Sequence, residues 1–145
     1  MPTLLIMNGP NLNLLGRREP EIYGSKTLEE IHKSLQKAFP EVTFQTFQSN
    51  SEGALIDRLQ QAKGEVAGVV FNPGAYTHTS VALHDAIKAV ELPVIEVHLS
   101  LPEARESFRR HSYVTPACRG RIAGLGPLGY HLAVSALLAM SEKKP

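Results

Sequence analysis

Cysteine is nearly absent. Cys118 is the one thiol in 145 residues, so the chain can close no disulfide on itself, and a reducing, cytoplasmic setting is expected. Charge of one sign is also missing. The formal net charge is +1, which leaves no electrostatic footprint for nucleic acid or an anionic membrane. Neither is expected as a partner. No apolar run approaches the ~20 residues of a membrane-spanning helix. The first strand pattern begins at Thr3, so no basic region or cleavage site of a secretion signal is expected before it. Aspartate is scarce, with Asp57 and Asp85 alone, whereas a phosphate-accepting receiver needs a cluster of acids at its strand ends. His-Glu-x-x-His and paired-cysteine spacings are missing, so no metal site is predicted.

What is present suits one domain over residues 1–145. A balance of 43% hydrophobic and 20% charged residues can fill and cover a single core. Thr3 to Asn8 reads as an apolar strand. A connection from Gly9 to Lys26 follows, and loops of that length without structure of their own are usually functional or disordered. Thr27-Leu28-Glu29-Glu30 is a capping box, Leu28, Ile31 and Leu35 share one helical face, and Pro40 stops that helix. Val42 to Gln48 is a second strand. Asn50 or Ser51 caps a helix with a Leu55, Leu59, Ala62 stripe, which Gly64 ends.

Val66 to Phe71 is an apolar run bounded by turn residues, as in a strand buried on both faces. Asn72-Pro73-Gly74 breaks it. Leu83, Ile87 and Val90 mark the next helix, and Val94 to Leu99 the fourth strand. Ser100-Leu101-Pro102-Glu103 reads as a second capping box, opening a short helix with Arg105, Arg109 and Arg110. Arg121 to Leu125 is a fifth strand. Pro127 to Met140 is a helix apolar nearly all round, so packing or subunit contacts should bury it. Strand and helix alternate throughout. With right-handed crossovers this predicts an α/β, flavodoxin-like three-layer sandwich around a five-stranded parallel sheet. Ligands of such sheets bind at the carboxyl ends of the strands. The loop from Phe71 to Ser80, with its amide, imidazole and hydroxyls, is therefore the default site.

Glu96 and His98 are two apart in a strand and point to one face. A carboxylate there can orient an imidazole and keep it protonated as a general acid. Asn11, Asn72 and His78 fall at the ends of the first and third strands. Convergent amides there suit a polyhydroxy ligand, and equally they satisfy turn backbones. Arg17, Arg18 and Tyr23 share the first long loop. A guanidinium favours a neighbouring phenolate, but by residue type alone these read as solvated. Gly124-Leu125-Gly126-Pro127-Leu128-Gly129 fits a dinucleotide fingerprint, yet the chain ends before the further strand and acid that fingerprint needs. A tight strand-to-helix turn suffices.

Several blocks together resemble the type II 3-dehydroquinate dehydratases. They are Leu5 to Gly16, Arg18-Glu19-Pro20 with Tyr23-Gly24, Phe71 to Ser80, Glu96 to Ser100, Arg105 to Arg109, and Gly124-Leu125-Gly126 with Gly129-Tyr130. They follow the family's order over nearly the whole chain. The resemblance implies a single catalytic domain of flavodoxin-like fold and no cofactor. It implies a homododecamer built as a tetramer of trimers, and a hydro-lyase of the shikimate pathway of aromatic amino acid biosynthesis. The reaction it implies is trans-elimination of water from 3-dehydroquinate, through an enolate, to 3-dehydroshikimate. By position Tyr23 matches the family's base, Arg18 the residue that activates it, and His98 the proton donor. Asn11 matches the residue that holds a water on the enolate oxygen, and Glu96 the carboxylate behind the histidine. Asn72, His78 and Arg109 match ring-hydroxyl contacts, and Leu99-Ser100 the substrate-carboxylate site. Asp85 matches a residue that reaches a neighbouring subunit's site. His84 stands where the family pattern has arginine, and Leu101-Pro102 replaces a more polar pair. The rival class is a non-catalytic flavodoxin-like module for FMN or signalling.

Overall fold

Asn8 lies opposite Asn72, and that register sets two loops side by side. It comes from a parallel sheet of five strands: β1 (Thr3–Asn8), β2 (Thr43–Gln48), β3 (Gly68–Asn72), β4 (Val94–His98) and β5 (Gly120–Ala123). Their order is β2-β1-β3-β4-β5, so the direction of winding reverses between β1 and β3. The computed structural model describes residues 1–142. Five α-helices accompany the sheet: α1 (Pro20–Tyr23), α2 (Leu28–Ala38), α3 (Glu52–Ala62), α4 (Val81–Val90) and α5 (Leu128–Glu142).

Alternation along the strands builds two cores. Leu4, Ile6, Val70 and Val97 face Ile31 and Leu35 of α2 and Tyr130, Val134 and Leu137 of α5. Leu5, Met7, Val69 and Phe71 face Leu55 and Leu59 of α3 and Leu83 and Ile87 of α4. These are the three layers expected of a flavodoxin-like sandwich. Local signals fix the helix ends. Glu30 N donates to Thr27 Oγ1 at 3.2 Å and Thr27 N to Glu30 Oε1 at 3.2 Å, which completes the capping box. Of the two candidate caps for α3, Ser51 does the work, accepting from Ala54 N at 3.2 Å.

Some expectations shift. Gly9 to Lys26 has structure of its own: a 3-10 turn at Leu12–Leu14, then α1. Leu12 and Leu15 are buried and tie it to the core. β3 starts later than Val66, because Val66 N still bonds to Ala62 O and closes the end of α3. β5 ends at Ala123, since Gly124 turns the chain with φ +87°. Ser100 caps nothing. Two 3-10 turns, Pro102–Ala104 and Ser107–Arg110, replace the predicted short helix, and neither has a side-chain cap. Ser100 Oγ instead accepts from Arg105 Nη1 at 3.3 Å. α5 buries Tyr130, Ala133, Val134 and Leu137, but leaves Leu128 55% and Leu132 39% exposed. Packing within the chain therefore covers one face of it.

Candidate active site

The site forms where β1, β3 and β4 end. Gly9 N donates to Asn72 O at 2.8 Å, which presses the first two loops together. A Cβ on Gly9 would stand 2.5 Å from Pro73 O, so no larger residue fits that approach. Between these loops, the segment carrying α1 and the turns after β4 lies a cleft with roughly 570 Å³ of space open to solvent. Its polar walls come from Asn11, Arg18, Tyr23, Asn72, His78, His98, Ser100, Arg105 and Arg109. No aspartate or glutamate lines it among the described residues. Three guanidinium groups without a lining acid make it a site for an anion.

Tyr23 sits at the end of α1 with two cations over its ring. The Arg18 guanidinium lies 5.0 Å from its ring centroid and that of Arg105 lies 5.1 Å away. Arg109 is oriented by Glu106, whose Oε1 accepts from Arg109 Nε at 2.9 Å. Asn11 has left-handed backbone, φ 69°. Its N–H donates to Asn50 Oδ1 at 2.9 Å, which is where the other candidate cap of α3 is used.

Glu96 and His98 share a face of β4, as their spacing requires. His98 Nε2 donates to Glu96 Oε2 at 2.5 Å. The carboxylate is fully buried and hydroxyls surround it. Thr77 Oγ1 is 2.6 Å from Oε2 and Thr115 Oγ1 is 2.5 Å from Oε1. Ser112 Oγ, 2.7 Å from Thr77 Oγ1, extends the chain. Every proton finds a place if the carboxylate is ionised and only accepts. Burial pushes the Glu96 carboxyl up, but bonds from His98, Thr115 and Thr77 and the His98 charge outweigh it and hold it below the usual carboxylate range. Nε2 being committed, Nδ1 is the His98 nitrogen left for a ligand. His78 differs. Burial leads in lowering its proton affinity below the ordinary histidine value, so the ring is neutral near pH 7. His111 O lies 2.8 Å from Nδ1 and takes its hydrogen. Nε2 is then an acceptor.

Of the residues singled out from sequence, Asn11, Arg18, Tyr23, Asn72, His78, His98, Leu99, Ser100 and Arg109 line one cleft. Glu96 stands behind His98. Asp85 does not reach the cleft; it lies exposed on α4. Arg105 lines the cleft and covers Tyr23, yet sequence reasoning gave it no part in the site. Its place in the matching block Arg105 to Arg109 was the available signal. Ser112 and Thr115 were missed as well, and Thr77, inside the loop expected to form the site, was given no role of its own. A hydroxyl in a loop advertises nothing until the fold brings a buried carboxylate to it.

Comparisons with known proteins agree over the whole chain. The family model described as "Dehydroquinase class II" matches residues 2–138. The 3-dehydroquinate dehydratase of Pelodictyon phaeoclathratiforme is 52% identical over 145 residues, covering 99% of this chain and 96% of that protein. That of Variovorax paradoxus is 55% identical, covering 95% and 99%. Among solved structures, the type II dehydroquinase of Butyrivibrio crossotus superposes with a TM-score of 0.91 at 42% identity, covering 94% of this chain and 97% of that one. With a family model spanning nearly every residue and full-length relatives at half identity or better, the chain belongs to the class II dehydroquinases.

Proposed function

We propose that the protein is a 3-dehydroquinate dehydratase, a hydro-lyase that forms 3-dehydroshikimate in aromatic amino acid biosynthesis. The observation that supports this best is the cleft itself. A tyrosine with two arginine guanidinium groups over its ring shares it with a carboxylate-backed histidine, and among the described residues no acid lines it. The substrate is an anion with a ketone and ring hydroxyls, which suits three guanidinium groups and several amide and imidazole contacts.

The chemistry needs a base, an acid and a place for developing charge. Tyr23 takes the proton beside the ketone as the base, with Arg18 as the residue that activates it. Asn11 holds a water on the enolate oxygen, where negative charge develops. His98, as imidazolium, gives its Nδ1 proton to the departing hydroxyl, which leaves as water, and the proton taken up by Tyr23 is later passed through solvent to restore His98. Glu96 accepts the Nε2 hydrogen of His98 and orients the ring so that Nδ1 faces the ligand. Asn72, His78 and Arg109 bind ring hydroxyls, and Leu99 and Ser100 the substrate carboxylate. Asp85, exposed on α4, serves a neighbouring subunit's cleft in a homododecamer. The reaction needs no cofactor, residues 1–145 form one catalytic domain, and the enzyme works in the cytoplasm.

The test is to add 3-dehydroquinate and follow the ultraviolet absorbance of the conjugated enone. Absorbance should rise with the wild-type protein. A flat trace with folded, oligomeric protein would reject the reading.

A further inference from the structure

On the α5 side of the sheet two buried polar residues with no part in the proposed chemistry, Asn8 and Tyr130, are joined by hydrogen bonds to Asn72, which lines the cleft. Asn8 ends β1, Asn72 ends β3 opposite it, and Tyr130 comes from α5. Tyr130 Oη lies 2.5 Å from Asn8 Oδ1 and 3.0 Å from Asn72 Nδ2. Asn8 and Tyr130 are 0% exposed and Asn72 is 3% exposed. A polar chain this deep is costly unless each group is paired.

The hydrogens can be placed by elimination. Gly74 N–H can only donate, so the Asn72 atom 3.1 Å from it is the carbonyl oxygen. The amide nitrogen therefore faces Tyr130. An amide nitrogen can only donate, so Tyr130 Oη accepts, and its own hydrogen goes to Asn8 Oδ1. Burial holds the Tyr130 phenol far above its ordinary proton affinity, which keeps that hydrogen in place. Asn72 Nδ2 has a second hydrogen that none of these bonds uses, and Asn72 lines the cleft.

We infer that Tyr130 is a positioning residue: its hydroxyl locks the Asn72 amide so that an N–H, and not the carbonyl, meets the ligand in the cleft. Taking that ligand to be 3-dehydroquinate rests on the dehydratase reading. Asn72 then donates to a substrate oxygen, while His78 Nε2 beside it accepts. The pair reads a hydroxyl-bearing ring by opposite halves of the hydrogen bond. The lock guards against one specific failure. Asn8 Nδ2 is buried with no partner among the described residues. Without the Tyr130 hydroxyl it is free to draw the Asn72 carbonyl toward itself. That turns the amide over and breaks its bond with Gly74 N.

Tyr130→Phe removes the one oxygen. The Michaelis constant for 3-dehydroquinate should rise about 3- to 10-fold, the worth of one hydrogen bond, with kcat within about twofold. Hydrogen exchange at the Gly74 amide, followed by NMR, should speed up by about tenfold or more, as its acceptor turns away. Asn8→Leu should do both as well, because the freed tyrosine hydrogen then turns on the Asn72 carbonyl. This second variant leaves Tyr130 intact and tests the same lock should the first fold poorly. Val134→Ala, in the same helix but outside the chain of bonds, should lower the melting temperature and change neither readout. If Tyr130→Phe and Asn8→Leu lose stability but keep the wild-type Michaelis constant and Gly74 exchange, the hydroxyl only packs the core and the inference fails. It fails too if Val134→Ala moves both readouts equally. Should the wild type not convert 3-dehydroquinate, the activity reading falls, and Gly74 exchange in the variants still decides this one.

Discussion

Tyr23→Phe deletes one oxygen from a ring that Arg18 and Arg105 cover at 5.0 and 5.1 Å. Packing of the ring is kept, so fold and ligand binding should survive. Turnover should drop by ~10²–10⁴, the usual contribution of a positioned base. Near wild-type turnover would hand the proton to another group. Glu96→Gln tests the other half of the site through stability. Glu96 accepts from His98, Thr77 and Thr115, and an amide nitrogen would meet one of these donors head on. At pH 7 the cost should be about 1–3 kcal/mol. The sign with pH follows from the lowered folded value of Glu96. Its ionised form contributes fully above the unfolded value of about 4.3, and that contribution disappears as pH falls through the folded value. Urea unfolding of both proteins should therefore show the gap closing below about pH 4. A gap constant with pH would mean that the carboxylate is not what the hydroxyls stabilise.

At the level of elements, α5 is the unfinished one. Leu128 is 55% and Leu132 39% exposed, and Leu125 just before the helix is 51% exposed. Exposed leucines at this spacing suit an interface between subunits, which is an expectation to be tested. Light scattering should give an assembly well above 15.9 kDa, and Leu128→Glu with Leu132→Glu should shrink it. A monodisperse, active wild-type monomer would refute the oligomer. Elements whose signals are local could be read from sequence. The capping box at Thr27 and Glu30 and the stripe Leu55, Leu59, Ala62 needed only spacings of three and four residues. The turns after β4 could not. Ser100 has the right type for a cap, but Arg105 takes its oxygen. Elsewhere the limit was distance along the chain. Glu96 and His98 were visible as a pair because two residues separate them. Tyr130 stands 122 residues from Asn8 and 58 from Asn72, and no periodicity connects them. Arg105 was quoted in a matching block but acquires meaning only when folding lays it on Tyr23.

For the molecule as a whole, a net charge of +1 hides a strong local field. Arg18, Arg105 and Arg109 gather at one cleft, where Glu106 beside it pairs with the last two at 3.8 and 2.9 Å and leaves a net positive charge, while the buried Glu96 is held by His98 and two threonines. Winding reverses between β1 and β3, and this brings loops far apart in sequence to the same strand ends. The field therefore belongs to the fold and to no single segment. Two consequences can be measured together. Added salt should lower kcat/KM for an anionic substrate, chiefly through KM, because the Debye length contracts from about 10 Å at 0.1 M to about 3 Å at 1 M. Inorganic sulfate should do more than screen: it should compete, being an anion that guanidinium forks hold well. Arg109→Ala removes one of the three charges. On its proposed role, a contact to a ring hydroxyl present in both ground and transition states, its loss should raise KM with a smaller change in kcat. It should also flatten the salt dependence. A large fall in turnover at saturating substrate with KM unchanged would instead put Arg109 in the transition state, and the division of labour with Tyr23 and His98 would have to be redrawn.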